Sequence, residues 1–303
     1  MSDFLRIRVL FPLIARLPAR IAYPLAQRIG WWGAQNRKNA ATAYRNGYLK
    51  MYPALQNDPA KLAKYVKASL NLFAKEALDI FRAPHLNVRD WEHFVSIEGL
   101  EHLSNPNEDA PQGTLLIMAH YGRLTMLLIR LKQAGFPQSM LTVEVDESNP
   151  DLDNINLFYL RKKVRTVQKA MGGAWLQRNH NMRPLYTGLK KGETWVILLD
   201  AQAQPNTPSA HYPFLGGQLE LPTGLIRIAE KCNARLVYGS IEESTPDQLQ
   251  ARIRPLSPNP SEAFNEAVKL LEHDTQTNPS QWWHWNVLDY IWQPSHHIPK
   301  TTL

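Results

Sequence analysis

Between Gly113 and Leu131 the chain reads GTLLIMAHYGRLTMLLIRL. An apolar run rich in long aliphatic residues stops at Ala119-His120-Tyr121-Gly122, and Leu124, Leu127, Leu128 and Leu131 follow at helical spacing. A short apolar run that gives way to a 3.6-residue period predicts a buried strand turning directly into a helix. That junction directs the chain to an α/β fold and puts His120 at the carboxyl edge of a sheet, where open α/β folds gather their ligands. The same alternation continues downstream. FVSIEGLEHL reads as a short strand and turn, SMLTVEVD as a strand, and LFYLRKKVRTVQKAMGGAWL as a basic helix ending at Gly172-Gly173. TWVILLDAQ is a buried strand running into Asp200, YPFLGGQLELPTG a glycine- and proline-containing loop, LIRIAEKCNA a helix and RLVYGSIEE a further strand. Upstream, Asp58-Pro59 caps and opens a helix that places Leu62, Val66, Leu70, Phe73, Ala77, Ile80 and Phe81 on one face, with Glu76 pointing toward whatever that helix packs on.

Charge divides the chain. Residues 1–50 carry nine basic side chains against Asp3 alone, +8, so the rest of a chain with net charge +7 stands at −1. The basic residues are interleaved with apolar ones in FLRIRVLFPLIARLPARIAYPLAQRIGWWG, which describes a surface lying in the headgroup region of a membrane rather than a nucleic-acid-binding arm. A spanning helix needs ~20 residues with few charges. Arg6, Arg8, Arg16, Arg20 and Arg28 leave no such window, and Pro12, Pro18 and Pro24 interrupt it. A small-residue cleavage site after an unbroken apolar core is also missing, which argues against a secretory signal. The alternative is that these segments are helices packed on the core. The single cysteine, Cys232, excludes an internal disulfide and a thiolate zinc site, and fits a reducing compartment.

Several chemistries find no residues to carry them. There is no G-x-S-x-G elbow, no phosphate-binding P-loop and no G-x-G-x-x-G after a strand. None of the ten histidines, His296 and His297 included, has a partner at metal-ligand spacing, so the sequence points to no metal site. What remains is two strand ends, at His120 and Asp200, and the glycine loop Phe214-Leu215-Gly216-Gly217, with Gly122 leaving space for a substrate.

The order of these motifs resembles the lipid A late acyltransferases of the lysophospholipid acyltransferase superfamily. The resemblance covers about residues 16–292 and rests on Glu98-Gly99-Leu100-Glu101-His102-Leu103, His120-Tyr121-Gly122, Asp200-Ala201-Gln202, Pro213-Phe214-Leu215-Gly216-Gly217, Pro222-Thr223-Gly224 and NPSQWWHWNVLDYIW. It implies an αβα sandwich with a mixed central sheet, a basic helical docking arm over residues 1–50 and an acyltransferase domain over 51–303. The implied enzyme is peripheral, on the cytoplasmic face of the bacterial inner membrane. It moves a fatty acyl chain from acyl carrier protein or coenzyme A to a hydroxyl or amine, with no metal or other cofactor and no nucleic-acid partner. In this family the histidine is followed, after four residues, by Asp or Glu.

Here that position is Thr125. Threonine orients an imidazole but supplies no charge to stabilise an imidazolium. Glu144 and Asp146 leave the neighbouring strand where the family more often carries an arginine, which implies a relocated acid: Glu144 by preference, with Asp200 as its competitor. The other readings are a histidine working alone and an inactive lipid-binding relative. In the mechanism these residues suggest, His120 is the general base, and Gly216 and Gly217, with Arg123, are candidate oxyanion donors; Arg161, Lys162, Lys163, Arg165 and Lys169 form a basic helix suited to an acidic carrier protein or to phosphates. A plain solvated face is the other reading of that helix. The tryptophans of QWWHWNVLDYIW read either as an interfacial girdle or as a cap over the sheet. The acceptor class implied by the altered motif is the terminal sugar of a capsular polysaccharide, with lipid A intermediates as the alternative.

Overall fold

The computed structural model describes residues 3–36, 38–104, 111–142, 154–177, 180–202 and 207–295. Seven strands form the central sheet: β1 (Val95–Glu98), β2 (Thr114–Met118), β3 (Gln138–Thr142), β4 (Gly172–Gln177), β5 (Thr194–Leu198), β8 (Arg235–Thr245) and β9 (Gln248–Pro255), in the order β1-β9-β8-β2-β5-β3-β4. Pairing is parallel except between β8 and β9. β6 (Ser209–Phe214), β7 (Gly217–Pro222) and β10 (Trp292–Pro294) make a small antiparallel sheet.

The two-residue alternation of β2 builds the layers. Leu115, Ile117 and Ala119 enter one apolar cluster with Leu185, Leu225, Phe264 and Trp282, whereas Leu116 and Met118 enter the other with Leu127, Leu131, Val167 and Leu78. Successive side chains of a strand face opposite sides, so a strand buried on both faces needs helices above and below. The helices Arg183–Lys190, Gly224–Cys232 and Pro260–Thr277 cover the first side, and Leu124–Gln133 and Asn154–Met171 the second. The result is an αβα sandwich with a mixed sheet and an amino-terminal helical region.

The capped helix Pro59–Arg82 bridges the two sides: Leu62 and Val66 belong to the first cluster, Leu78, Ile80 and Phe81 to the second. Its carboxyl-terminal half is buried around most of its circumference, with Lys75, Glu76, Asp79 and Arg82 enclosed along with the apolar residues.

Two local expectations change. The segment expected to be a loop at Tyr212–Gly224 is the β6–β7 hairpin, closed at Leu215-Gly216 with both residues at positive φ, 48° and 75°. A turn of this kind matches the twist of the strands, but leucine is not the residue that announces it. The basic helix ends at Met171, and Gly172 and Gly173, expected only to end it, begin β4. Gly173 packs so closely on the backbone of Gln138 that a Cβ would lie 2.3 Å from its carbonyl oxygen.

The amino-terminal segments pack on the core, as the alternative reading has it, and also carry an exposed apolar face. Ile7, Phe11, Ile14, Ala22, Tyr23 and Ala26 are buried in the second cluster. Phe4, Leu5, Val9, Leu13, Leu17 and Ile21 are exposed, and they make up six of the eight exposed large apolar side chains among the described residues. No helix of the described residues is long and apolar enough to cross a membrane.

Candidate active site

The register of the sheet brings the two ionisable strand ends together. β2 and β5 are parallel with Met118 opposite Leu198, so two residues further on His120 lies beside Asp200. The Asp200 carboxylate accepts the His120 backbone N–H on both oxygens at 3.0 Å, and His120 Nδ1 lies 2.9 Å from Oδ1. Facing a carboxylate, Nδ1 carries the proton and donates it, which leaves the Nε2 lone pair available. Trp282 Nε1 donates to Oδ2 at 3.1 Å. Asp200 is wholly buried. Burial alone would raise its carboxyl, but His120 and His284 together with the hydrogen bonds from His120 and Trp282 outweigh it and hold the group well below the usual carboxylate range.

His284 is the member that sequence reasoning missed. Its Nε2 lies 3.0 Å from His120 Nδ1 and 3.5 Å from Asp200 Oδ2. Burial lowers its pKa to about 4, against the opposing pull of Asp200, so the ring is neutral at pH 7. The segment that carries it is latched to the strand end: Trp283 N–H donates to His120 O, Gly122 N–H to Gln281 O and Trp283 Nε1 to Gly122 O, at 2.8–2.9 Å. Trp282, Trp285 and Trp292 are buried in the first cluster, so they cap the sheet and are not an interfacial girdle. The one signal in the sequence was His284 within the tryptophan-rich motif.

The remaining expected site residues disperse. Gly122 (φ +60°) leaves no space for substrate, because a Cβ there would lie 1.8 Å from Ile241 O. Arg123 has no solvent exposure, and its guanidinium forks onto Asp79 (2.6 Å to each oxygen), reaches Glu243 and Pro246 O, and stacks over Tyr23 and Phe94. That is a structural ion pair, not a donor beside His120. Thr125 is buried and gives its hydroxyl to Glu76 Oε1 at 3.3 Å. Gly216 lies in the hairpin turn and Gly217 opens β7, packed on Trp292 and Gln293. It is the opposite end of the hairpin, at Thr207 and Pro222, that reaches the cavity at His120. Glu144 and Asp146 lie outside the described residues. Arg161, Lys162, Arg165 and Lys169 share a cavity of about 950 Å³ with Arg8, while Lys163 turns the other way and pairs with Glu76.

Two further cavities flank the imidazoles. One, about 290 Å³, is mainly apolar and lined by His120, Leu141, Met182, Ile197, Leu225 and Phe264. The other, about 460 Å³, is lined by His284 and Trp283 together with Tyr44, Glu76, Tyr159 and Lys163.

His120, Asp200 and His284 offer ligand atoms within 4.8 Å of one another, a proximity that sequence spacing did not reveal. Two imidazoles and a carboxylate suit a divalent transition metal. Yet the Asp200 oxygens are already engaged by the His120 backbone N–H and the Trp282 indole, and the 2.9 Å contact joins a ring N–H to a carboxylate. The donor set therefore fits a hydrogen-bonded dyad: Nδ1–H is oriented by a buried anion, and Nε2 is left as a base beside an apolar cavity.

No curated protein matches the chain. The sequence profile of the bacterial lipid A biosynthesis acyltransferases matches residues 1–285, and the chain belongs to that family.

Proposed function

We propose that this acyltransferase of lipid A biosynthesis takes its fatty acyl chain from a thioester on acyl carrier protein or coenzyme A and attaches it to a hydroxyl or amine of a glycolipid, with His120 as general base and Asp200 as its acid partner. The observation that carries this reading is the His120–Asp200 pair, 2.9 Å apart at the wall of an apolar cavity suited to an acyl chain. His120 Nε2 takes the proton of the acceptor as its oxygen or nitrogen attacks the thioester carbonyl. Asp200 stabilises the imidazolium. Collapse of the tetrahedral intermediate breaks the C–S bond, and the imidazolium returns the proton to the departing thiolate. The balance needs no metal or other cofactor.

The family supports a lipid A precursor as acceptor. The replacement at Thr125 supports the terminal sugar of a polysaccharide as the second class. The cations around the 950 Å³ cavity supply a docking place for an acidic carrier. The exposed apolar stripe of the arm, with Arg8, Arg16 and Arg20 alongside it, supports attachment to the cytoplasmic face of the inner membrane.

The test is acyl transfer from a dodecanoyl thioester to each acceptor class. His120→Ala and Asp200→Asn should each lower turnover by about 10²- to 10⁴-fold, the range for positioned acid–base groups, and Thr125→Ala should lower it only modestly. Equal activity of wild type and His120→Ala would remove His120 as the base, and absence of transfer by wild type would place the chain among inactive lipid-binding relatives.

A further inference from the structure

The cavity beside His284 contains a group that no described residue satisfies. Glu76 is buried, and its Oε1 receives Lys163 Nζ at 2.5 Å and the Thr125 hydroxyl at 3.3 Å. Its Oε2 is buried with no hydrogen-bond partner among the described residues. A buried carboxylate oxygen left without a donor costs about 1–3 kcal/mol, more for a charged group, and such groups in native proteins call for an explanation. Burial pushes this carboxyl upward in pKa, with Lys163 opposing, which is the condition of a carboxylate short of donors.

The cavity wall supplies the explanation. Glu76, Lys163 and Tyr159 line the same 460 Å³ space as Trp283 and His284, and His284 touches the ring of His120. The apolar cavity reaches His120 from elsewhere. Two compartments, one almost wholly apolar and one that adds ionisable groups to an apolar lining, thus meet at the imidazole pair. We propose that the compartment beside His284 is the acceptor site and that Glu76 Oε2 binds a hydroxyl or N–H of the acceptor's sugar headgroup, with Lys163 and Thr125 fixing the carboxylate.

This inference rests on the acyltransferase reading and adds the residue that recognises the acceptor. The oxygen lacks a donor, so a phosphate, which only accepts at neutral pH, is not its ligand; a neutral or amino sugar is. Glu76 is a specificity residue rather than the base, because the Nδ1 of His120 is held by Asp200.

The test measures binding as well as transfer. A lipid A precursor glycolipid should bind Glu76→Gln at least tenfold more weakly than wild type, and its KM should rise by a similar factor while the KM for the dodecanoyl thioester stays within about twofold. A one-site loss of this size corresponds to about 1.4 kcal/mol. On the wild-type protein, one member of a series of deoxy or deamino glycolipids should show the same tenfold loss, and that loss should vanish in Glu76→Gln, a coupling that a merely destabilised variant would not give. Unchanged acceptor affinity in Glu76→Gln, with no member of the series weakened on wild type, overturns the proposal and leaves Oε2 to an internal water. Wild-type protein that binds the glycolipid without transferring an acyl group overturns the acyltransferase reading instead, and the binding measurements still decide the role of Glu76.

Discussion

Asp200 makes the site a pair rather than a lone histidine: a side chain with no solvent exposure holds the His120 backbone, the His120 ring and the Trp282 indole at once. His284 completes the group without adding charge, and its protonation carries a measurable penalty. An unfolded histidine titrates near 6.5 and this one near 4, so between those values the unfolded state binds more protons and stability falls as pH falls. The contribution of His284 is fully present above about pH 6.5 and is lost down to about pH 4. In urea unfolding at pH 7 and pH 5, wild type should lose about 2 kcal/mol more than His284→Asn; equal losses would remove His284 from the buried neutral state assigned to it. At this scale the sequence was legible where a residue terminates an element. His120 and Asp200 stand out because each ends an apolar strand, and a separation of 80 positions does not hide them. His284 sits in a short 3-10 turn with no period to mark it, and its role comes from a latch to residues about 160 positions earlier. Arg123 misled because adjacency to His120 in the sequence says nothing of direction: the turn at Gly122 sends the arginine inward to Asp79.

The helix Pro59–Arg82 shows how one element serves both stability and the site. Its first half is amphipathic in the usual way, while its second half carries Lys75, Glu76 and Asp79 into the interior, each with an ionic partner from another element. Asp79 takes Arg123, Glu76 takes Lys163, and Lys75 pairs with Glu243, which also meets Arg123. Tyr23 adds its hydroxyl to Asp79 at 2.8 Å, tying the amino-terminal helix to the same charge. Buried pairs of this kind contribute little net stability, but removal of one member strands the other, at a cost of about 3–5 kcal/mol. Asp79→Ala should therefore lower unfolding free energy by about that amount. Asp79→Ala combined with Arg123→Met should recover a large part of it, because no buried charge is then left unpaired; equal destabilisation in both variants would show that packing, not charge, governs this position. Helical periodicity located the helix and its apolar face. It turned Glu76 toward the packed side but not Lys75 and Asp79, because their partners arrive from 168 and 44 residues away. The β6–β7 hairpin escaped for a related reason. Its turn places a leucine at positive φ, where asparagine or glycine would have announced it.

For the molecule as a whole, the arm, the cavity beside His284 and the sheet edge form one arrangement. Arg6, Ile7 and Phe11 of the arm wall the cavity that holds Glu76, and the opposite side of the same segments presents Phe4, Leu5, Val9, Leu13, Leu17 and Ile21 to the outside. Under the proposed function that stripe enters the headgroup boundary of the bilayer, and a glycolipid acceptor passes from the membrane into the cavity beside His284 without crossing water. Deleting the arm is not the clean test, since Phe11 and Tyr23 are nearly wholly buried and their loss would open the second core cluster. Charge placed on the exposed side alone leaves that packing intact. Val9→Glu, Leu13→Glu and Ile21→Glu combined remove three apolar side chains from the stripe and set three negative charges among Arg8, Arg16 and Arg20. Each basic residue near an anionic surface contributes ~1 kcal/mol, so neutralising about three of them and losing the apolar insertion should reduce flotation with anionic phospholipid vesicles by at least 10²-fold, with little change in thermal midpoint. Raising salt should weaken wild-type binding only in part, because the apolar share of the attachment is not screened. Flotation that is identical in wild type and the triple variant, with the variant folded, would remove the stripe from any role at the membrane and leave the arm as a wall of the acceptor cavity alone.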